Sequence, residues 1–258
     1  MPELPECEAN RRRVEDGALN RTITGFSEGN VTHLDLPTPS ERKRLEGRQF
    51  TEARRHGKLI FAGSATGPWI SVHLGMTGWL DCVDGSFEPP NWGHFVICFE
   101  GDRRLVFHNR RKLGWMKVID DPATYLDDTG VGPDAMEMGE NAFVDMLGKS
   151  RGAIKAALMD QKKIAGIGNL YSDETLYQVG ISPKAKGSDL DAATLKKVHS
   201  ALCDVLDTLL AANDGGPVPK DWLRHRREAG AACGLCDGTI RKATVGGRTA
   251  FYCSEHQS

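Results

Sequence analysis

The chain has 258 residues, 40% hydrophobic and 26% charged, which is enough to bury a substantial core without disulfides or metals throughout. No apolar run approaches the roughly 18 residues of a membrane span and no basic segment leads into an apolar one, so no membrane partner and a cytoplasmic location are expected. A formal charge of -2 with a pI near 6.5 does not by itself point to nucleic acid. The basic residues are unevenly spread, however. Arg103, Arg104, Arg110, Arg111, Lys112 and Lys117 follow one another without an intervening acid, and Arg224, Arg226 and Arg227 form a second cluster.

In chain order, the first feature is MPELPE, a proline in second place followed by glutamates, and then ECEANRRRVEDGAL, whose periodicity predicts one helix. From Gly57 to Trp115 the sequence reads as β structure. GKLIFAG, WISVHLG, WGHFVICFE and RRLVFHN are short β-branched and aromatic runs separated by turn residues. Gly101-Asp102 is expected to form a two-residue hairpin turn. These features predict a β-rich domain over residues 1–125.

After VGPDAM the pattern becomes helical in NAFVDMLGK, SRGAIKAALMDQ, LYSDETLYQVG and DLDAATLKKVHSALCDVLDTLLAA. The last carries Leu195, Val198, Leu202, Val205, Leu206 and Leu209 on one face, and ANDGGPVP is expected to break it. A helical module over 130–222 and a small cysteine-rich tail over 223–258 follow from this division.

Seven cysteines are unevenly placed, with Cys233, Cys236 and Cys253 crowded into the tail. Cys233-x2-Cys236, sixteen residues, then Cys253-x2-His256 makes two half-sites that can surround one tetrahedral ion, the preference of zinc. A knuckle this small is expected to fold on one structural Zn²⁺ and to present Arg248 from a rigid hairpin, where an arginine suits a phosphate. Gly166-Ile167-Gly168-Asn169 lies between two helices. Helix packing alone explains such glycines, but a turn of this kind also offers backbone N–H groups to a phosphate, with Asn169 as a further donor.

Taken together, MPELPE, Gly57-Lys58, HLGMTG from His73 to Gly78, QKKIAGIGNLYSDE from Gln161 and the terminal RTAFYCSEHQ resemble the formamidopyrimidine-DNA glycosylase and endonuclease VIII family of base-excision repair enzymes. The motifs occur in the family's order over nearly the whole chain. The resemblance implies an α+β multidomain fold: an N-terminal β-sandwich with flanking helices, a helix-two-turn-helix module and a C-terminal zinc-finger β-hairpin. It also implies a monomeric bacterial, nucleoid-associated enzyme acting on damaged double-stranded DNA.

By the same resemblance Met1 is removed and the secondary amine of Pro2 attacks C1' of the damaged nucleotide. A terminal amine is less basic than a lysine, so a useful fraction is neutral near pH 7. Glu3 is implied as general acid and base on the deoxyribose, Glu6 as its support, and Lys58 as a contact to phosphate near the lesion. His73, Asn169 and Arg248 are implied to grip backbone phosphates, while Met76, Arg111 and Leu113 fill the space left by a flipped base. DNA glycosylase activity with abasic-site lyase activity, by β- or β,δ-elimination, is the expected reaction. A non-catalytic damaged-DNA binder of the same fold and a glycosylase for bulky or crosslinked adducts are the alternatives.

The chain departs from the family pattern in four places. His256 stands where a cysteine is usual, and NRRKLG replaces the common DPRRFG. Only ten residues separate Trp222 from Cys233, where members that excise 8-oxoguanine carry a longer loop, so oxidised pyrimidines, hydantoins or abasic sites are the expected substrates. The fourth departure is the near-neutral charge, which predicts modest non-specific affinity with steep salt dependence.

Overall fold

The computed structural model describes residues 1–88, 90–212 and 216–258. The chain divides into two compact units, Met1–Gly130 and Val131–Ser258.

The first unit opens with α1 (Leu4–Ala18), and the opening motif supplies its start. Glu3 is the extended N-cap, Pro5 stands in the first turn where no N–H is needed, and the Glu6 carboxylate accepts the Glu3 N–H at 2.9 Å. The strands are β1 (Ile23–Gly29), β2 (Glu52–His56), β3 (Leu59–Gly63), β4 (Trp69–His73), β5 (Gly78–Asp84), β6 (His94–Phe99), β7 (Arg103–Asn109) and β8 (Trp115–Ile119). Two short helices complete the unit, α2 (Pro39–Leu45) and α3 (Pro122–Thr129). Each starts from a Thr or Asp cap followed by proline, a signal confined to three or four residues.

The strands form two antiparallel four-stranded sheets, in the orders β1-β6-β7-β5 and β2-β3-β4-β8. Their inner faces share one core. Ile23, Leu80, Phe95, Ile97, Leu105 and Phe107 from the first sheet meet Ile60, Ile70, Val72 and Met116 from the second, with Val14 and Ala18 of α1 joining them. This is the alternation that a half-buried strand needs. Asn10 ties α1 to the first sheet, since its amide oxygen accepts the Leu80 N–H at 2.6 Å and its amide nitrogen donates to the Glu6 carbonyl at 2.7 Å.

The turn between β6 and β7 is longer than the two residues expected. Phe99 pairs with Arg103, so Glu100, Gly101 and Asp102 all lie in the connection. The Glu100 N–H is drawn to the Thr22 carbonyl at 2.8 Å, leaving Gly101 and Asp102 to reverse the chain with φ of 77° and 55°.

The second unit contains α4 (Glu140–Gly148), α5 (Ile154–Leu158), α6 (Asn169–Gln178) and α7 (Ala192–Ala212), followed by the hairpin β9 (Ile240–Val245) and β10 (Arg248–Cys253). The apolar face expected of α7 is buried at all six positions. Of the segment expected to end it, residues 213–215 lie outside the described residues. Among the described residues no helix is long and apolar enough to cross a membrane.

Candidate active site and metal centre

One end of the second sheet gathers most of the predicted residues of the first unit. In register, Leu59 pairs with His73 and His73 with Trp115, across β3, β4 and β8. Lys58 therefore leaves the sheet just before Leu59, the Met76 loop leaves just after His73, and Leu113 arrives just before Trp115. A two-residue turn, Gly57-Lys58, joins β2 to β3, and Gly57 supplies the positive φ of 56° that it requires.

The N-terminus of α1 reaches the same region. The Cys7 thiol donates to the Lys58 carbonyl at 3.5 Å and is completely buried. Burial first, and then the neighbouring Glu6 carboxylate, push this thiol up to about 12 against the pull of Lys58 and Arg55. Glu3 is only 2% exposed, while Pro2 is half-buried. Glu3, Glu6 and Lys58 are thus brought around one buried thiol. Sequence reading did not connect that thiol with the site, because nothing local marks Cys7 as facing Lys58.

His73 stacks on Trp115 with centroids 5.7 Å apart, and its Nδ1 accepts the Gly75 N–H at 3.2 Å. The ring proton of the neutral form is therefore on Nε2. Burial, assisted by the Lys58 charge, holds the His73 pKa below its ordinary value.

Met76 is 39% exposed and Leu113 52% exposed, so neither belongs to the core, and Arg111 is exposed beside them. Asn109, at the end of β7, holds both loops. Its amide nitrogen donates to the Leu74 carbonyl at 3.3 Å, and its oxygen accepts the Leu113 N–H at 3.1 Å. Gly75 and Gly114 allow this approach, since a Cβ on Gly75 would lie 2.5 Å from the Gly114 nitrogen. Asn109 is a second residue that the sequence did not single out.

In the second unit Asn169 opens α6 behind the N-cap Gly168, and its Oδ1 is buried with no hydrogen-bond partner among the described residues. Gln161 staples the preceding turn. Its side chain donates to the Ile167 carbonyl at 2.7 Å and accepts the Gly166 N–H at 3.0 Å. Arg248 is exposed at the start of β10, directly after the turn Gly246-Gly247, where both glycines have positive φ.

A buried ion pair fixes that hairpin. Lys155 and Asp173 are fully buried and 2.6 Å apart, and Lys155 also donates to the Thr249 carbonyl, next to Arg248, at 3.0 Å. The other Asp173 oxygen accepts from Arg227 at 2.8 Å and from the Phe251 N–H at 3.1 Å. These partners are up to 94 residues apart in sequence, which is why no local pattern announces them.

Cys233, Cys236, Cys253 and His256 place their ligand atoms within 4.8 Å of one another. The edges are 3.5 Å from Cys236 Sγ to Cys253 Sγ, and 3.4 and 3.6 Å from His256 Nδ1 to Cys233 and Cys236 Sγ. A tetrahedron with metal–sulfur bonds of about 2.3 Å has edges of this size. The Nε2 of His256 lies 3.1 Å from the Tyr177 carbonyl, which accepts a hydrogen bond from Nε2–H and leaves the Nδ1 lone pair free for a metal. Burial alone raises the Cys233 thiol, but the Tyr177 hydroxyl and backbone N–H groups outweigh it and hold it below its ordinary value. The donor set therefore fits a soft-to-borderline divalent cation.

Residues 1–116 match the family described as formamidopyrimidine-DNA glycosylase N-terminal domain, and residues 129–218 match its H2TH domain. The formamidopyrimidine-DNA glycosylase of Synechococcus sp. is 31% identical over 284 residues, covering 100% of this chain and 99% of the relative. That of Chloroflexus aurantiacus is 30% identical over 269 residues, covering 98% and 96%. Among solved structures, a complex of the LlFpg protein with THF-DNA and an inhibitor superposes with a TM-score of 0.88 at 24% identity, covering all of both chains. A complex of MutM with DNA containing carbocyclic 8-oxo-G gives the same TM-score and identity. These structures establish a shared fold. Identity sustained from end to end of both chains establishes more: this protein belongs to the formamidopyrimidine-DNA glycosylase family of base-excision repair enzymes.

Proposed function

We propose that the protein is a bifunctional glycosylase and abasic-site lyase that acts on damaged duplex DNA as a monomer, through Pro2 as nucleophile. The observation that carries this reading is the placement of a buried carboxylate, Glu3, between half-buried Pro2 and the Glu6 cap, with Lys58 on the adjoining turn. With Met1 removed, the Pro2 nitrogen is a secondary amine. Its lone pair forms the bond to C1' as the glycosidic bond breaks and the base leaves with a proton.

The resulting iminium makes the C2' proton acidic, and its removal expels the 3' phosphate. Glu3 is suited to carry protons to and from the deoxyribose because its carboxyl is buried beside Pro2 at the N-cap of α1. Glu6 holds the helix start, and so the Glu3 backbone, in place. Lys58 and the Nε2–H of His73 supply positive charge and a donor for phosphate. Asn169 and Arg248 do the same from the second unit. Met76, Arg111 and Leu113, exposed on loops joined by Asn109, are the side chains that enter the duplex.

Cys233, Cys236, Cys253 and His256 would hold a structural Zn²⁺, which supplies no reaction chemistry but fixes the hairpin that presents Arg248.

For the substrate, we favour oxidised pyrimidines, hydantoins and abasic sites over 8-oxoguanine. The segment from Trp222 to Cys233 has no slack for a lid. The Leu223 and Arg224 N–H groups are bound by the Glu174 carboxylate at 3.1 and 2.8 Å, and Arg227 is bound to Asp173. A ring-opened purine is the second reading, favoured by the formamidopyrimidine-DNA glycosylase name that the relatives carry.

The test is borohydride trapping on matched duplexes containing an abasic site, an oxidised pyrimidine, a formamidopyrimidine or 8-oxoguanine, after intact mass confirms loss of Met1. A covalent adduct absent from Pro2→Gly supports the nucleophile, and the duplex trapped best ranks the substrates. No adduct on any duplex, with the metal present and Met1 gone, would leave a non-catalytic binder or a bulky-adduct enzyme. Glu3→Gln retaining full base excision would remove Glu3 from the mechanism.

A further inference from the structure

Tyr177, near the C-terminal end of α6, is completely buried and makes three separate contacts with the ligand residues of the metal knuckle. Its hydroxyl lies 3.1 Å from Cys233 Sγ. Its carbonyl lies 3.1 Å from His256 Nε2, and its ring meets the His256 imidazole edge-on with centroids 4.8 Å apart. One residue thus touches ligands from both half-sites.

The direction of the hydroxyl contact follows from chemistry. The Gly234 N–H donates to the Tyr177 oxygen at 2.8 Å, and a metal-bound thiolate carries no proton. The O–H must therefore donate to sulfur. Three thiolates and a neutral imidazole around a divalent cation leave a net charge of -1 among groups that are buried at Cys233 and Cys253. Backbone donors answer part of this charge, from Leu235 to Cys233 at 3.5 Å and from Gly238 to Cys236 at 3.3 Å. The Tyr177 hydroxyl adds a side-chain donor, at the shortest distance of the three.

We infer that Tyr177 is an outer-sphere residue of the metal centre, whose hydroxyl stabilises the Cys233 thiolate and whose carbonyl fixes His256 in the tautomer that ligates through Nδ1. It rests on the zinc reading above. Because Tyr177 belongs to the helix that begins at Asn169, it also makes that helix a wall of the metal site.

The carbonyl contact survives any side-chain change, so Tyr177→Phe isolates the hydroxyl. Zinc affinity is measured by competition with a chromophoric chelator, and the thiolate-to-cobalt charge-transfer band by absorption of the Co²⁺-loaded protein. Loss of an outer-sphere donor should weaken zinc by about 10-fold to 100-fold. It should also move the charge-transfer band to longer wavelength, because a thiolate relieved of its hydrogen bond gives up an electron more easily. A fluorotyrosine at 177, a stronger donor of nearly the same size, should move the band the opposite way, and it reads the same contact if Tyr177→Phe does not fold. An unchanged band in the fluorotyrosine protein, or zinc affinity in Tyr177→Phe within twofold of the parent, would overturn the inference while leaving the zinc reading intact. A parent protein that takes up neither zinc nor cobalt would overturn both.

Discussion

The two units hold their shape by different means. The first closes two sheets over a continuous apolar core, and the residues around its candidate site are carried on the ends of strands that the core already fixes. At its C-terminal end the second has a small apolar cluster, Tyr177, Leu223, Cys233, Ile240 and Cys253, two of which belong to the candidate ligand set. Its hairpin is held by a buried ion pair and by the ligand cluster. The contrast teaches that apolar area suffices where two sheets can face each other, whereas a short tail must use directional bonds to achieve the same rigidity.

The comparison breaks most visibly at the metal. Stripping it with a chelator should unfold the hairpin and abolish retention of damaged duplex, since structural zinc contributes on the order of 10 kcal/mol to small knuckles. Hydrogen exchange should show residues 240–253 losing protection while the amides of β3, β4 and β7 keep theirs. Equal loss in both units would end the distinction.

Next in size is Asp173→Asn, which leaves Lys155 buried beside a neutral amide. Removing one partner of such a pair costs about 3–5 kcal/mol, and urea unfolding of the metal-loaded protein should show it. Replacing the first unit's Leu80, which is 0% exposed, by alanine should cost about 2–5 kcal/mol through lost burial and a cavity. Its loss should appear in exchange of β5 and β7 amides and spare the hairpin.

The smallest effect is on pH dependence. Burial lowers the pKa of His73 with help from Lys58. Burial also lowers that of His108, where His94 adds to the shift and Asp81 opposes it. In the unfolded chain both rings take up a proton near about pH 6.5, while in the fold they resist until lower pH. Stability is therefore full above that value and falls as pH drops through it, by at most about 1.4 kcal/mol per pH unit for each ring. Urea titrations at pH 7.5 and 5.5 should show this slope, and His108→Phe should flatten it. A His108→Phe slope equal to the parent's would mean that the buried ring is not the source.

Much of this protein is local enough to be written in the chain. The β runs from Gly57 to Asn109, the apolar stripe of α7 and the helix in ECEANRRRVEDGAL follow from periodicity, which operates over a few residues. The ligand spacing of Cys233, Cys236, Cys253 and His256 belongs to the same class, because a knuckle and its hairpin are short. The helices α2 and α3 lay below that threshold, since seven or eight residues with a cap offer too little periodicity to read.

What only the tertiary structure decided is how distant residues meet. Cys7 lies under Lys58, Asn109 clasps the two exposed loops, Asp173 gathers Lys155, Arg227 and Phe251, and Tyr177 reaches both halves of the metal knuckle. Each side chain has at least one partner 35 or more residues away, Leu74 for Asn109 and Phe251, 78 residues on, for Asp173. The sequence carries no local trace of them, because an unpaired buried polar group is costly only once the fold has taken water away from it.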